Sequence, residues 1–188
     1  MLIGNRSPRQ TRSRTCSLGV SFVLLLSLLG SISSTAETQS LNDRFNYLST
    51  HGNSSCSTAY MESISKMPAT ARLQGSCCGP MDKTRYAEQV EGLKEFAVIA
   101  EIPPDPYDIA AGLAQKLIGY YDLALTAEEQ KTYQFAMENS EEKGPCCCQC
   151  WRWKVLGGLA KYLIRERQFA GKQVTEIWNL TNGCGGAG

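Results

Sequence analysis

The sequence predicts an all-α fold, a small bundle of about four to five helices behind an N-terminal leader. Three observations carry that expectation. Apolar residues recur every three to four positions in several separate stretches. Pro, Gly and capping residues fall between those stretches, and no alternating apolar run is convincing enough for a strand.

Residues 1–36 read as a secretory signal peptide. Arg6, Arg9, Arg12 and Arg14 make a basic start, an apolar run spans Leu18 to Leu29, and Ser34-Thr35-Ala36 supplies small residues before Glu37. The run is short against the ~20 residues of a spanning helix, which favours cleavage after Ala36 over an uncleaved anchor. The expected location is exported: periplasmic, cell-envelope or extracellular, with membrane attachment only if the leader stays. Cys16 precedes the apolar run and is misplaced for lipid attachment.

Residues 37–55 are rich in Ser, Thr and Asn and are expected to be a flexible polar segment. A cysteine-rich helical domain follows over 56–182, and then a flexible Gly-rich tail over 183–188. Ser57–Met67 reads as a short helix with Tyr60, Ile64 and Met67 on one side, stopped by Pro68. Tyr86, Val90, Leu93, Ala97 and Ala100 predict an amphipathic helix over Asp82–Glu101, ended by Pro103-Pro104. Ile109, Leu113, Leu117 and Tyr120 predict the next, capped by Asp105 or Asp108. Thr126-Ala127-Glu128-Glu129 is a capping box opening a helix over Thr126–Asn139. Pro145 suits a first helical position, with Trp151, Val155, Leu159 and Tyr162 continuing that helix to about Arg167. Val174–Leu180 reads as a last short turn of helix.

The chain has 188 residues, which suits one domain. Its formal charge is +1, and without the four leader arginines it carries 15 basic against 18 acidic residues, net −3. Neither balance gives the basic stripe of a nucleic-acid binder. The single histidine, His51, argues against His-dominated zinc, haem or triad chemistry and reads as a solvated loop residue. There is no Gly-x-Ser-x-Gly elbow, no phosphate loop and no His-Glu-x-x-His, so no catalytic residue is proposed.

Sulfur is the remaining signal. Past the leader stand Cys56, Cys77, Cys78, Cys146, Cys147, Cys148, Cys150 and Cys184. An even count in an exported chain invites disulfides, yet neighbouring Cα atoms ~3.8 Å apart lie below the disulfide range of ~4.4–6.8 Å. Cys77-Cys78 and Cys146-Cys147-Cys148 therefore do not pair comfortably within themselves; long-range pairing stays open. Such crowding suits a soft metal. Both Gly75-Ser76-Cys77-Cys78-Gly79-Pro80 and Gly144-Pro145-Cys146-Cys147-Cys148-Gln149-Cys150 lie at expected helix starts, where unpaired amides stabilise thiolates.

On a helix begun at Pro145, Cys148 falls in the core stripe, while Cys146, Cys147 and Cys150 share another side. Gly157 lies below Cys150 on that side and would admit a second segment, either Cys77-Cys78 or the tail near Cys184. The expected metal ligands are thus Cys146, Cys147, Cys150, Cys77, Cys78 and Cys184. Copper(I) or zinc fits them, and mercury by the same softness. Met61, Met67 and Met81 read as core fillers rather than thioether ligands. The partners implied are the metal ion and a metal-delivery or envelope protein. Two alternatives stand beside this reading: thiol–disulfide exchange at Cys147-x-x-Cys150, and a helical interaction domain stapled by disulfides.

The run Pro145-Cys146-Cys147-Cys148-Gln149-Cys150, with flanks from Tyr133 to Ile177, resembles bacterial exported proteins named for a Pro-Cys-Tyr-Cys-Gly-Cys motif. Those are mostly lipoprotein-type chains of unknown function. Pro145, Cys146, Cys148 and Cys150 match; Cys147 replaces the aromatic residue, Gln149 replaces the glycine, and the lipid-bearing cysteine is missing. The resemblance implies export and a cysteine site, and it adds Cys148 to the ligands against the helix-wheel assignment.

Overall fold

The computed structural model describes residues 39–185, nearly all within the larger of two compact units, 41–188. The leader, Cys16 and the final residues 186–188 lie outside the described part. Within it the protein is mostly helical, with seven α-helices where the sequence suggests four to five. No helix among the described residues is long and apolar enough to cross a membrane.

The first helix, α1 (39–51), occupies the segment expected to be loose. Its apolar stripe is thin: Leu41 and Phe45 pack around Leu48, which is buried with Tyr86 and Tyr107. Helix α2 (Thr58–Ile64) starts at Ser57, whose side chain accepts from the Tyr60 amide, and buries Ile64. Helix α3 (Lys83–Leu93) is capped by Asp82 and stops well before Glu101. A 3₁₀ turn, Lys94–Phe96, takes over. Beyond Leu93 the expected stripe has nothing to bury against: Ala97 and Ala100 are exposed, and Val98 is 90% exposed.

Two three-residue strands were not anticipated. β1 (Arg72–Gln74) pairs antiparallel with β2 (Asp108–Ala110), in the register Leu73 to Ile109. Ile109 is therefore a strand residue, and helix α4 (Ala111–Tyr121) begins after it, at Ala110 and without a side-chain cap. The expected caps work elsewhere. Asp108 is buried and pairs with Arg44 and Arg72, whose Nε lies 2.6 Å from its carboxylate. Asp105 accepts from the Tyr107 amide and the Tyr86 hydroxyl.

Helix α5 (Ala127–Asn139) has the expected capping box between Thr126 and Glu129. Helix α6 (Trp151–Arg167) is the spine, with Trp151, Val155, Leu156, Leu159 and Leu163 fully buried. It begins six residues after Pro145, so Cys146–Cys150 form an irregular run and not a first helical turn. Helix α7 (Gly171–Thr181) is longer than a single turn and buries Val174, Ile177 and Trp178. α4 lies along α6, and α5 lies along α7. Met61 and Met67 pack on the main core and Met81 on the Leu48 cluster, as core fillers do.

The close approach on α6 is at Gly158 rather than Gly157. A Cβ at Gly158 would overlap the Leu117 carbonyl of α4, whereas one at Gly157 would meet the Tyr121 ring and the Tyr133 hydroxyl. Backbone does not yield as a side chain does, so Gly158→Ala is expected to cost roughly 3 kcal/mol, the upper end of overpacking. Gly119 in α4 is exposed with open space around its Cβ position. Gly119→Ala should instead stabilise by about 1 kcal/mol. Urea melts of the two variants check the pair; equal effects would contradict the placement of α4 on α6.

Candidate metal centre

Four stretches of chain meet at the N-terminal end of α6, and each is tied there by hydrogen bonds. The first carries Cys56. The amides of Asn53 and Ser54 both donate to the Gln74 carbonyl at 3.0 Å. The Asn53 side chain accepts from the Gln74 amide at 2.8 Å and donates to the Arg72 carbonyl at 2.9 Å. Residues 52–56 thus run beside β1. The second stretch leaves β1 through Gly75, whose φ of +77° only glycine adopts without strain. Its Cα nearly touches Gly52, so a side chain would separate the first two stretches.

The fourth stretch, the tail, is expected to be loose, yet its residues 183–185 are fixed. The Cys184 carbonyl accepts from the Gly79 amide at 3.0 Å and from Ser76 Oγ at 2.7 Å. The third stretch, 140–150, is held by Ser140, whose Oγ accepts from the Gly144 amide at 2.8 Å. It is joined to the end of α7 by the Glu141 amide donating to Asn179 and by Asn182 donating to Glu142.

These ties bring eight sulfurs together. Cys56 Sγ lies 3.2 Å from Cys78 Sγ and 3.5 Å from Cys148 Sγ. Cys78 Sγ is in turn 3.5 Å from the sulfurs of both Cys147 and Cys148, and 3.7 Å from that of Cys77. Cys146 and Cys184 form a disulfide with Cα atoms 6.8 Å apart. Cys146, Cys150 and Cys184 are buried, while Cys78 and Cys147 are exposed.

Among the described residues five groups of three side chains have ligand atoms within 4.8 Å of one another. They are Cys56–Cys77–Cys150, Cys56–Cys78–Cys148, Cys77–Cys78–Cys184, Cys146–Cys147–Cys184 and Cys146–Cys148–Cys150. No histidine or carboxylate enters any of them. A donor set made of sulfur alone suits soft metals, and an ion at ~2.3 Å from three sulfurs needs S–S edges of ~4.0 Å. Changes of up to about 0.8 Å would fit separations between 3.2 and 4.8 Å to that size.

All seven cysteines expected from the sequence are in this cluster, Cys148 with them. Its assignment to the core stripe fails because that assignment assumed a helix from Pro145. Cys56 was missed: it stands alone in a polar stretch, and what recruits it is the pairing of Asn53 with a strand that the sequence does not announce. His51 is exposed at the end of α1, stacked on Tyr47, and belongs to none of the five groups. Trp151 is core, as expected, and Trp153 donates to the Tyr121 hydroxyl at 3.1 Å.

Arg152 places positive charge beside the site. It is fully buried; Nη1 donates to the Pro106 carbonyl at 2.6 Å and Nη2 to the Gly75 carbonyl at 2.9 Å. Nε has no partner among the described residues, and the guanidinium lies 4.6 Å from the Trp151 ring centroid. Its hydrogen bonds go to carbonyls and not to a carboxylate. A buried cation requires compensating negative charge, and its field favours the thiolate form of Cys77.

Cys150 is the thiol most readily ionised. The hydrogen bond from Cys77, then the amides of Arg152 and Trp153 at the start of α6, pull it down to about 5. Cys77 is pushed up by the same hydrogen bond and by burial. Burial also raises Cys56 and Cys148. The Cys77–Cys150 pair therefore carries one proton over a wide pH range.

No family model, curated protein or solved structure matches the chain.

The depressed value for Cys150 has a definite sign. Its thiolate stabilises the fold fully above the ordinary thiol value of 9.0, and that contribution is lost as pH falls through about 5. In the metal-free protein with Cys146–Cys184 closed, thiolate ultraviolet absorption worth one sulfur should disappear near pH 5. Cys150→Ser should abolish that step. Loss of all thiolate absorption already at pH 8 would contradict it.

Proposed function

We propose that the protein is an exported soft-metal-binding protein that carries, stores or senses copper(I) or zinc through clustered thiolates. Mercury would be bound by the same chemistry. The observation that supports this reading best is that all eight cysteines past the leader, and no oxygen or nitrogen ligand, enter mutually close groups of three. Thiols held by backbone ties at a helix start, beside a buried arginine, are poised to lose their protons to a metal. Export rests on the leader, a basic start followed by a short apolar run.

The Cys146–Cys184 disulfide favours a second reading, a helical interaction domain stapled by sulfur. Thiol–disulfide catalysis has less support. Cys147 and Cys150 are both free thiols and share none of the five groups, so the Cys-x-x-Cys pair is not closed.

Elemental analysis of protein purified with reductant and without chelator, paired with a free-thiol count after denaturation, separates the two. The metal reading expects stoichiometric copper or zinc, lost from the Cys56→Ser/Cys148→Ser/Cys184→Ser triple variant, which leaves none of the five groups whole, while its circular dichroism stays native. Absence of metal, no rebinding of copper(I) or zinc, and every cysteine oxidised when reductant is omitted would replace it with the stapled reading.

A further inference from the structure

The five groups are not independent, and how they share corners specifies more than affinity for a soft metal. Cys56–Cys77–Cys150 and Cys56–Cys78–Cys148 share Cys56. Cys77–Cys78–Cys184 shares Cys77 with the first of these and Cys78 with the second. Cys146–Cys148–Cys150 shares Cys150 with the first and Cys148 with the second. Four triangles joined in this way have six possible shared corners, and five are single bridging sulfurs. The sixth, between the last two triangles, is divided between Cys184 and Cys146, the two cysteines joined in the disulfide.

That connectivity is the one in which four three-coordinate ions occupy the corners of a tetrahedron with a sulfur over each edge. Every group has three members and none has four, which suits a trigonal monovalent ion better than tetrahedral zinc. Resting on the soft-metal reading above, we infer that the reduced protein assembles a thiolate-bridged core of four copper(I) ions, and that the Cys146–Cys184 disulfide sets the capacity. With that bond closed, Cys77–Cys78–Cys184 and Cys146–Cys148–Cys150 each lack a thiolate, and two complete triangles sharing Cys56 remain.

Opening the bond takes two electrons and two protons from an external dithiol, which leaves as its own disulfide. Each cysteine thiol then releases its proton as a copper–sulfur bond forms. Bridging sulfurs outnumber the monovalent ions, so the core is anionic, and Arg152 supplies the buried positive charge beside it. The exposed Cys147 belongs only to Cys146–Cys147–Cys184, outside the tetrahedral set.

The test is an anaerobic titration with copper(I) acetonitrile, followed by native mass spectrometry, on the full chain before and after reduction of Cys146–Cys184. The reduced protein should reach four ions in one cooperative step, and the disulfide form two, one per complete triangle. Cys146→Ser/Cys184→Ser should bind two under reducing conditions, and Cys147→Ser should still bind four, because its group is dispensable. One ion per reduced chain, or the same number in both redox states, would overturn the tetranuclear core while leaving soft-metal binding intact. No copper(I) bound in any form would remove both together.

Discussion

The guanidinium of Arg152 is held by the Gly75 and Pro106 carbonyls, and the backbone of Gly183 crowds against it closely enough to exclude a Cβ there. One side chain thereby joins the stretch leading to Cys77-Cys78, the turn before β2, the tail carrying Cys184, and the helix that begins just after Cys150. Burying an unpaired guanidinium costs several kcal/mol. Stacking on Trp151 offsets on the order of 2 kcal/mol of that. The Pro106 and Gly75 carbonyls offset more of it, and negative charge forming on Cys77 would add to that. Electrostatics and assembly therefore meet here: the residue that ties these stretches together also favours the ionised form of Cys77.

That coupling explains why the cysteines lie on irregular chain. On an α-helix successive residues point ~100° apart, so Cys146, Cys147, Cys148 and Cys150 would spread around the axis. The turns over 141–150 let them gather at one place, and α6 contributes its amides instead of its sides. The disulfide, Ser140 and the ties to α7 replace the hydrogen bonds that a helix would have given this run.

Much of the helical architecture was legible because it is local. The Thr126–Glu129 capping box and the Trp151–Tyr162 stripe depend on residues within a few positions of each other, and both lie where the spacing puts them. What escaped depends on distant chain. The β1–β2 pair is three residues long on each side, too short for alternation to register, and it converts Ile109 from a helix residue to a strand residue. Helix α1 has three apolar side chains on a polar background, and what fixes it is the contact of Leu48 with Tyr86 and Tyr107. For the site, six sulfurs announced themselves by crowding in sequence, and Cys184 became a candidate as part of a segment that could approach them. Cys56 joins them only through Asn53 and β1, a tertiary arrangement that no local pattern encodes.

The convergence of sulfurs from distant stretches is the claim on which everything else stands, and it can be tested without knowing the natural metal. Arsenite bonds three thiolates at once and so staples only sulfurs already close together. Adding it to the reduced, folded chain, digesting, and identifying the joined peptides by mass reads the arrangement directly. The result expected is Cys56 linked to the Cys77-Cys78 peptide and to the peptide carrying Cys148 and Cys150. Arsenic found only within the 77–78 or 146–150 peptides, with Cys56 and Cys184 free, would contradict the account.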